Sequence, residues 1–333
     1  MNFGCSCFSW ETDDGKHLLG RTYDQPGNLA GNRIAMLPSG FSMQTSTNPS
    51  NTTRVSLRHA LIGMAVIGLE TPILVDGVNT HGLMGALLHY PGYAFYDTRH
   101  TSVNLHPGFL IGYLLGQCAS IAEIMQLLPT INLTSEKVFG QEMPVHYIFS
   151  DRTGEAMILE PDAAGFSVHR HSLGVLTNSP NYDWQRTNLR NYIDVTNQYR
   201  PSQHIINDTF CGFSETAGSG FGLPGDYSSP SRFVRLALCK HFAIRGRNET
   251  QGISKIFHNL APVDIPEGLL GTHSNAYMQT LSMSAICAES QTYYFATAEN
   301  RRICAIHLQP NCTEPIYFDL PASQDICYLN ENI

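Results

Sequence analysis

The sequence predicts an α+β layered fold in which antiparallel sheets pack between helices. Three features point there. Apolar runs of strand length come first, helical spacings follow, hairpins return, and helices and then short strands close the chain. That order lacks the strand–helix alternation of a doubly wound parallel sheet. No repeat, low-complexity tract or linker interrupts the 333 residues, so they read as one domain.

Taken in order, CSCFSW (5–10) and HLLGRTYD (17–24) flank the turn-rich TDDGK, a hairpin with Asp14-Gly15 at its tip. NRIAMLP, LIGMAVIGL and GLMGALLHY are further apolar strands, separated by Gly, Pro and Asn. Helices begin after Pro107: GFLIGYLLGQ has helical apolar spacing, and Ser120 caps IAEIMQLL. VHYIFSDRTGEAMILEP is a second hairpin, turning at residues 151–154, and GFSVHRHS and GVLTNSP continue its strands. SRFVRLALCKHF after Pro230 and GISKIFHNLAP up to Pro262 are amphipathic helices. LSMSAICA, TYYFATA, RRICAIHL and IYFDL return to strands.

Hydrophobic residues make up 42% of the chain and charged residues only 14%, which calls for a large interior or subunit interface. A net charge of −8 argues against nucleic acid and anionic membrane surfaces as partners. The opening residues have no basic segment followed by an apolar one, and no apolar run reaches about 18 residues, so neither a secretory signal nor a membrane span is expected. Nine scattered cysteines without a CxxC pair read as mostly free thiols in a reducing, cytoplasmic setting. The sequons at Asn51, Asn132, Asn207, Asn248 and Asn311 then stay idle.

Several motifs carry chemistry only on a generous reading. GSGFGLPG (218–225) lacks the Lys-Ser/Thr ending of a phosphate loop, and Pro224 blocks a helix start, so it reads as a loop lining a cleft. His169 and His171 share a strand face, but two imidazoles without a third ligand are not a metal site. The Cys5/Cys7 pair likewise has no second pair to complete a site, so no metal or cofactor is expected. Thr177 to Pro180 forms a strand-ending turn, and an asparagine amide there can donate to an oxyanion. Arg232 at a helix start, if buried, would lower the pKa of a nearby thiol. Cys5 combines a thiol with, were Met1 to Gly4 removed, a free α-amine, whose reference pKa of about 8 suits a general base.

Read together, Cys5, Asp14-Gly15, Gly20-Arg21 and Asp24 resemble the opening of the cholylglycine hydrolase family, N-terminal-nucleophile hydrolases that include penicillin V acylases and conjugated bile salt hydrolases. VDGVNTHGLMGALLHYPGYAFY, LTNSPNYDWQRTNLRNY and GLPGDYSSPSRFVR resemble further family segments in the same order. The resemblance spans Cys5 to the final strands. It implies a four-layer αββα sandwich, two antiparallel sheets flanked by helices, with a short propeptide of residues 1–4 and one domain over residues 5–333. The propeptide would leave by attack of Cys5 on the Gly4 carbonyl.

By the same resemblance Cys5, and not Cys7, is the nucleophile. Arg21 stabilises its thiolate, Asp24 orients its α-amine, Asn178 donates its side-chain amide to the oxyanion, and Arg232 tunes the local charge. The second oxyanion donor, a backbone N–H, falls on His89, where penicillin V acylases usually carry tyrosine and bile salt hydrolases asparagine. An imidazole there should alter the pH profile. The implied reaction is amide hydrolysis through a thioester, on a small molecule with an apolar acyl group, by a homotetramer. Segment details favour penicillin V acylase, with bile salt hydrolysis, acyl-homoserine lactone cleavage or an unprocessed, non-catalytic ligand binder as alternatives.

Overall fold

A computed structural model describes residues 4–48, 52–96, 103–199, 203–210, 219–273, 275–324 and 326–328. Met1 to Phe3 of the expected propeptide, the sequon at Asn51, Cys211 and Gly218 lie outside the described residues.

The principal strands in chain order are β1 (Gly4–Glu11), β2 (His17–Pro26), β3 (Asn32–Leu37), β4 (Leu61–Val66), β5 (Asp76–Asn79) and β6 (Met84–His89). They continue with β7 (Val145–Ser150), β8 (Ala156–Asp162), β9 (Gly165–His169) and β10 (Val175–Leu176). The last four are β11 (Tyr277–Cys287), β12 (Thr292–Thr297), β13 (Cys304–His307) and β14 (Ile316–Phe318). The helices are α1 (Leu110–Gln117), α2 (Ile121–Leu127), α3 (Tyr182–Asn188), α4 (Ser229–Phe242) and α5 (Glu249–Leu260).

Two antiparallel sheets result. One runs β10-β1-β2-β11-β12-β13, with the short strand Leu270–Gly271 beside β11. The other runs β9-β8-β7-β6-β5-β4-β3-β14, with Ile73–Leu74 beside β4. The sheets face each other through β1 against β6 and β11 against β5. Helix α1 covers the outer face of the larger sheet, and α4 and α5 cover the smaller. This is the αββα sandwich, and its double-sided packing explains why most strands are buried throughout instead of alternating. Gly20 shows how closely the layers approach, since a Cβ there would lie 2.4 Å from Ile256 of α5.

Local chemistry sets the boundaries. Gly15 takes φ +78° at the tip of the β1–β2 hairpin, where the left-handed region favours glycine. Ser120, Asn248 and Ser228 cap α2, α5 and α4 by accepting from the backbone N–H three residues on. Strand β11 pairs with β2 along nearly its whole length, but the register shifts between Thr280 and Ser282, so Leu281 forms a bulge beside Asp24 and Tyr23.

The structure departs from the sequence reading in three places. Val175–Leu176 does not extend the β7–β9 series; it crosses to the other sheet and pairs with β1. His171 does not share a strand face with His169: β9 ends at His169, and His171 sits in a turn with φ +48°. Helix α3 was unforeseen, although Asn181 accepting from the Trp184 N–H and Asp183 in the first turn are ordinary start signals. Among the described residues, no single helix is long and apolar enough to cross a membrane.

Candidate active site

The β1–β2 hairpin brings the first three expected residues together. Its register sets Gly4 against Asp24, Cys5 against Tyr23, and Cys7 against Arg21. Arg21, 2% exposed, aims Nη2 at the Cys5 sulfur from 3.0 Å. Its Nη1 donates to the Val75 carbonyl at 2.6 Å, and its Nε lies 3.8 Å from Asp76. The guanidinium therefore bridges the two sheets and cannot swing away from the thiol. Asp76 is itself held by the Tyr293 and Ser284 hydroxyls and the Met64 N–H.

Burial pushes the Cys5 thiol above its ordinary value, and the Arg21 guanidinium offsets only part of that. Burial works against the Arg21 charge too, but Cys5 and Asp76 more than compensate and hold it above the usual arginine value. With residue 4 attached, the site thus stores a neutral thiol beside a fixed cation.

Arg232 enters from the opposite side. Ser228 and Pro230 fix the start of α4, which places Arg232 in its first turn facing β1. Its Nη1 donates to the Cys5 carbonyl and the Ser6 hydroxyl, both at 2.6 Å, and its Nη2 to Asn178 Oδ1 at 2.6 Å. Burial pulls its pKa down, with Asp24 at 3.8 Å acting against that. Asp24 is fully enclosed and accepts from the Thr280 and Thr22 hydroxyls at 2.7 and 3.2 Å. Burial pushes its carboxyl up to about 6, with Arg232 and these hydroxyls limiting the rise. A Cβ on Gly4 would lie 3.3 Å from the Asp24 Cβ, so the backbone preceding Cys5 rests directly on this carboxylate.

Asn178 completes the group. Its backbone N–H donates to the Ser229 hydroxyl at 2.9 Å. Its Oδ1 accepts from the Cys5 N–H at 3.0 Å, and its Nδ2 donates to the His89 carbonyl at 2.8 Å. The amide therefore spans from β1 to the end of β6. All six expected residues converge, each linked to another by a hydrogen bond or ion pair. Cys7, two residues from Cys5, is instead sealed in the core, its thiol pushed up by burial.

An apolar cavity of about 120 Å³ opens on Cys5. That is roughly tenfold the ~10–15 Å³ one water requires. Val66, Ile73, Val75, Leu87, Val145 and Phe139 supply most of its wall; Gln25, Asn32 and His89 supply the polar points. Phe139 belongs to a two-residue turn closed by reciprocal bonds between Val138 and Gln141, with φ +49° at Phe139 and +76° at Gly140. Phenylalanine is a costly choice for that backbone, and its ring is 54% exposed at the cavity rim.

Sequence reasoning missed Asp76, Thr280 and Ser229, which orient Arg21, Asp24 and Asn178 in turn. Asp76 left one faint trace, a carboxylate inside an otherwise apolar segment. Thr280 and Ser229 left none, because their partners lie 256 and 51 residues away. Among the described residues, no group of three or more His, Cys, Asp or Glu side chains is placed to hold a metal ion.

Residues 5–318 match the sequence pattern of the linear amide C–N hydrolases, choloylglycine hydrolase family. The chain is 29% identical over 311 residues to a bile salt hydrolase/transferase of Clostridium perfringens, covering 91% of this chain and 92% of the relative. It is 32% identical over 254 residues to a bile salt hydrolase/transferase of Lactiplantibacillus plantarum, covering 75% and 78%. In three dimensions it is similar to the conjugated bile acid hydrolase from Clostridium perfringens, with a TM-score of 0.89, 26% identity, and coverage of 98% of this chain and 100% of the other. Penicillin V acylase from Agrobacterium tumefaciens shares the fold at a TM-score of 0.71 and 20% identity, covering 91% and 86%.

Proposed function

The chain belongs to the choloylglycine hydrolase family of linear amide C–N hydrolases, and from that premise we propose that it cleaves the amide bond of conjugated bile acids with Cys5 as nucleophile. The observation that carries the nucleophile is Arg21 Nη2 held 3.0 Å from the Cys5 sulfur at the floor of an apolar cavity. Both relatives, at 29% and 32% identity, and the similar structure with a TM-score of 0.89 are named for bile salts or bile acids, which supports that substrate class. The sequence reading had put penicillin V acylase first; that likeness, at 20% identity, extends to the fold alone, so the order is reversed.

In this proposal residues 1–4 are removed, and the nitrogen that now donates to Asn178 Oδ1 becomes an α-amine. The match to the family pattern begins at Cys5, which supports that cut. The thiol proton passes to the α-amine, the thiolate attacks the amide carbon, and the developing oxyanion takes hydrogen bonds from Asn178 Nδ2 and the His89 backbone. The ammonium returns its proton to the departing amine, leaving a thioester that water hydrolyses. Arg21 stabilises the thiolate, and Arg232 and Asp24 fix the α-amine end.

Intact mass and a substrate panel test this. The expected result is a species beginning at Cys5 that hydrolyses glycine- or taurine-conjugated bile salts faster than penicillin V. A purified chain that retains Met1 and hydrolyses nothing would sink the proposal, and a preference for penicillin V would restore the other substrate order.

A further inference from the structure

Behind the site lies a second buried polar group with no place in the mechanism above. Glu160 of β8 is 3% exposed and His146 of β7 fully buried. Glu160 Oε1 lies 3.2 Å from His146 Nδ1, and the other ring nitrogen, Nε2, lies 2.9 Å from the Thr177 carbonyl. The Tyr182 N–H donates to both Glu160 oxygens at 3.0 and 3.2 Å. The segment carrying Asn178 is therefore gripped at both ends, at Thr177 through His146 and at Tyr182 directly. The same imidazole stacks on Tyr90, centroids 4.2 Å apart and planes 12° from parallel, which adjoins His89. One side chain thus touches the backbone one residue before Asn178 and the ring one residue after His89.

The ring is held by a partner at each nitrogen. Both His146 nitrogens face oxygens that accept, a carboxylate and a carbonyl. Burial pushes the Glu160 carboxyl up, but hydrogen bonds from His146 and His169 and from the Tyr182 N–H outweigh it and hold it at about 2, so it is an anion. The other groups on Glu160 are the Tyr90 phenol and His169 Nε2 at 3.4 Å, whose far nitrogen lies 3.9 Å from Asp183.

We infer that Glu160 and His146 form a buried bracket that positions Asn178 and the end of β6 for the oxyanion. Neither residue lines the cavity, so both are positioning residues. The inference rests on the oxyanion role proposed for Asn178.

The test compares Glu160→Gln with Asn178→Ala, assayed on a glycine-conjugated bile salt. Glu160→Gln keeps the side chain's shape but removes the charge that faces His146 and the Tyr182 N–H. A misplacement of about 1 Å costs about a hundredfold in rate. The expected result is therefore a kcat lower by about ten- to a hundredfold with KM changed less than about twofold, since no substrate contact is lost. A second variant, His146→Gln, should show the same split, a lowered kcat with KM nearly unchanged.

If Asn178→Ala loses activity while Glu160→Gln keeps its kcat, the bracket is refuted and the oxyanion role stands. If Asn178→Ala keeps its kcat, the oxyanion role and the bracket fall together. Should Glu160→Gln not fold, His146→Gln decides, and an unchanged kcat there refutes the inference.

Discussion

The floor and the wall of the cavity are built on opposite principles. At the floor Cys5 meets the cavity, and behind it Arg21, Asn178 and Arg232 are tied by short directional bonds to Cys5, to one another or to backbone oxygens, with Asp24 held by the Thr280 and Thr22 hydroxyls beside Arg232. On the wall, Val66, Ile73, Val75, Leu87 and Val145 meet any occupant by undirected apolar contact. The floor should tolerate almost no substitution, because each group's pKa and aim depend on a neighbour. The wall should change affinity in small steps, since one methylene in a hydrophobic pocket alters discrimination by only about 1–3 kcal/mol.

The largest test of this contrast uses two cysteines of one strand. Cys5→Ala should lower kcat by about ten-thousandfold or more, the scale on which catalytic nucleophiles are lost. Cys7→Ala, altering only the core, should keep kcat within a fewfold in steady-state assays on purified, folded protein. A dead but folded Cys7→Ala enzyme would erase the distinction between them.

Next in size is the buried charge under the floor. Asp76→Ala leaves Arg21 without its carboxylate, and breaking such a pair costs about 3–5 kcal/mol. Denaturant melts should show that loss; a decrease below about 1 kcal/mol would mean that the Val75 carbonyl and the thiol suffice to hold the guanidinium. Asp24 makes a subtler point. Held at about 6, it is ionised above that pH and protonated below it. In the processed chain proposed above, activity should therefore fall at acid pH, where a protonated Asp24 leaves the α-amine without an anionic partner. Asp24→Asn should lower kcat/KM and remove that acid limb. A limb that survives in the variant belongs to another group.

The smallest expected effect lies on the wall. Phe139→Asn relieves a residue held at φ +49°, which should add about 1 kcal/mol and a few degrees of Tm. It should also raise KM severalfold, by removing a ring from the cavity rim. Opposite signs in stability and affinity would show that the strain is retained for contact with substrate. A variant that gains stability without losing affinity would mean that the ring does nothing for binding.

The same division decides what could be read in the sequence. Arg21 and Asp24 stand sixteen and nineteen residues from Cys5, a separation that one hairpin converts into contact, so the motif was visible locally. Asn178 and Arg232 were recovered only because their segments resemble family segments; nothing in TNSP or SSPSR alone points across the molecule to Cys5. Asp76 was missed because sheet-to-sheet packing joins it to Arg21, and Thr280 because its strand comes to lie beside Asp24 from 256 residues away; Glu160 and His146 face each other across the β7–β8 hairpin, but nothing in that hairpin alone points to the segment of Asn178. The crossing of Val175–Leu176 to the other sheet was invisible for the same reason: a two-residue apolar run fits either sheet.

The bulge at Leu281 has a consequence for changes in chain length. Thr280 reaches Asp24 on one side of it, and Ser284 reaches Asp76 on the other. Because side chains alternate along a strand, the extra residue sets the reading frame that turns Thr280 to the face of Asp24 and Ser284 to the opposite face, toward Asp76. Deleting Leu281 would shift everything on one side by a single step, turning polar groups to the apolar face and apolar groups to the carboxylates. A substitution along this strand changes one side chain at a time, whereas an insertion or deletion here would rebuild the support beneath the site.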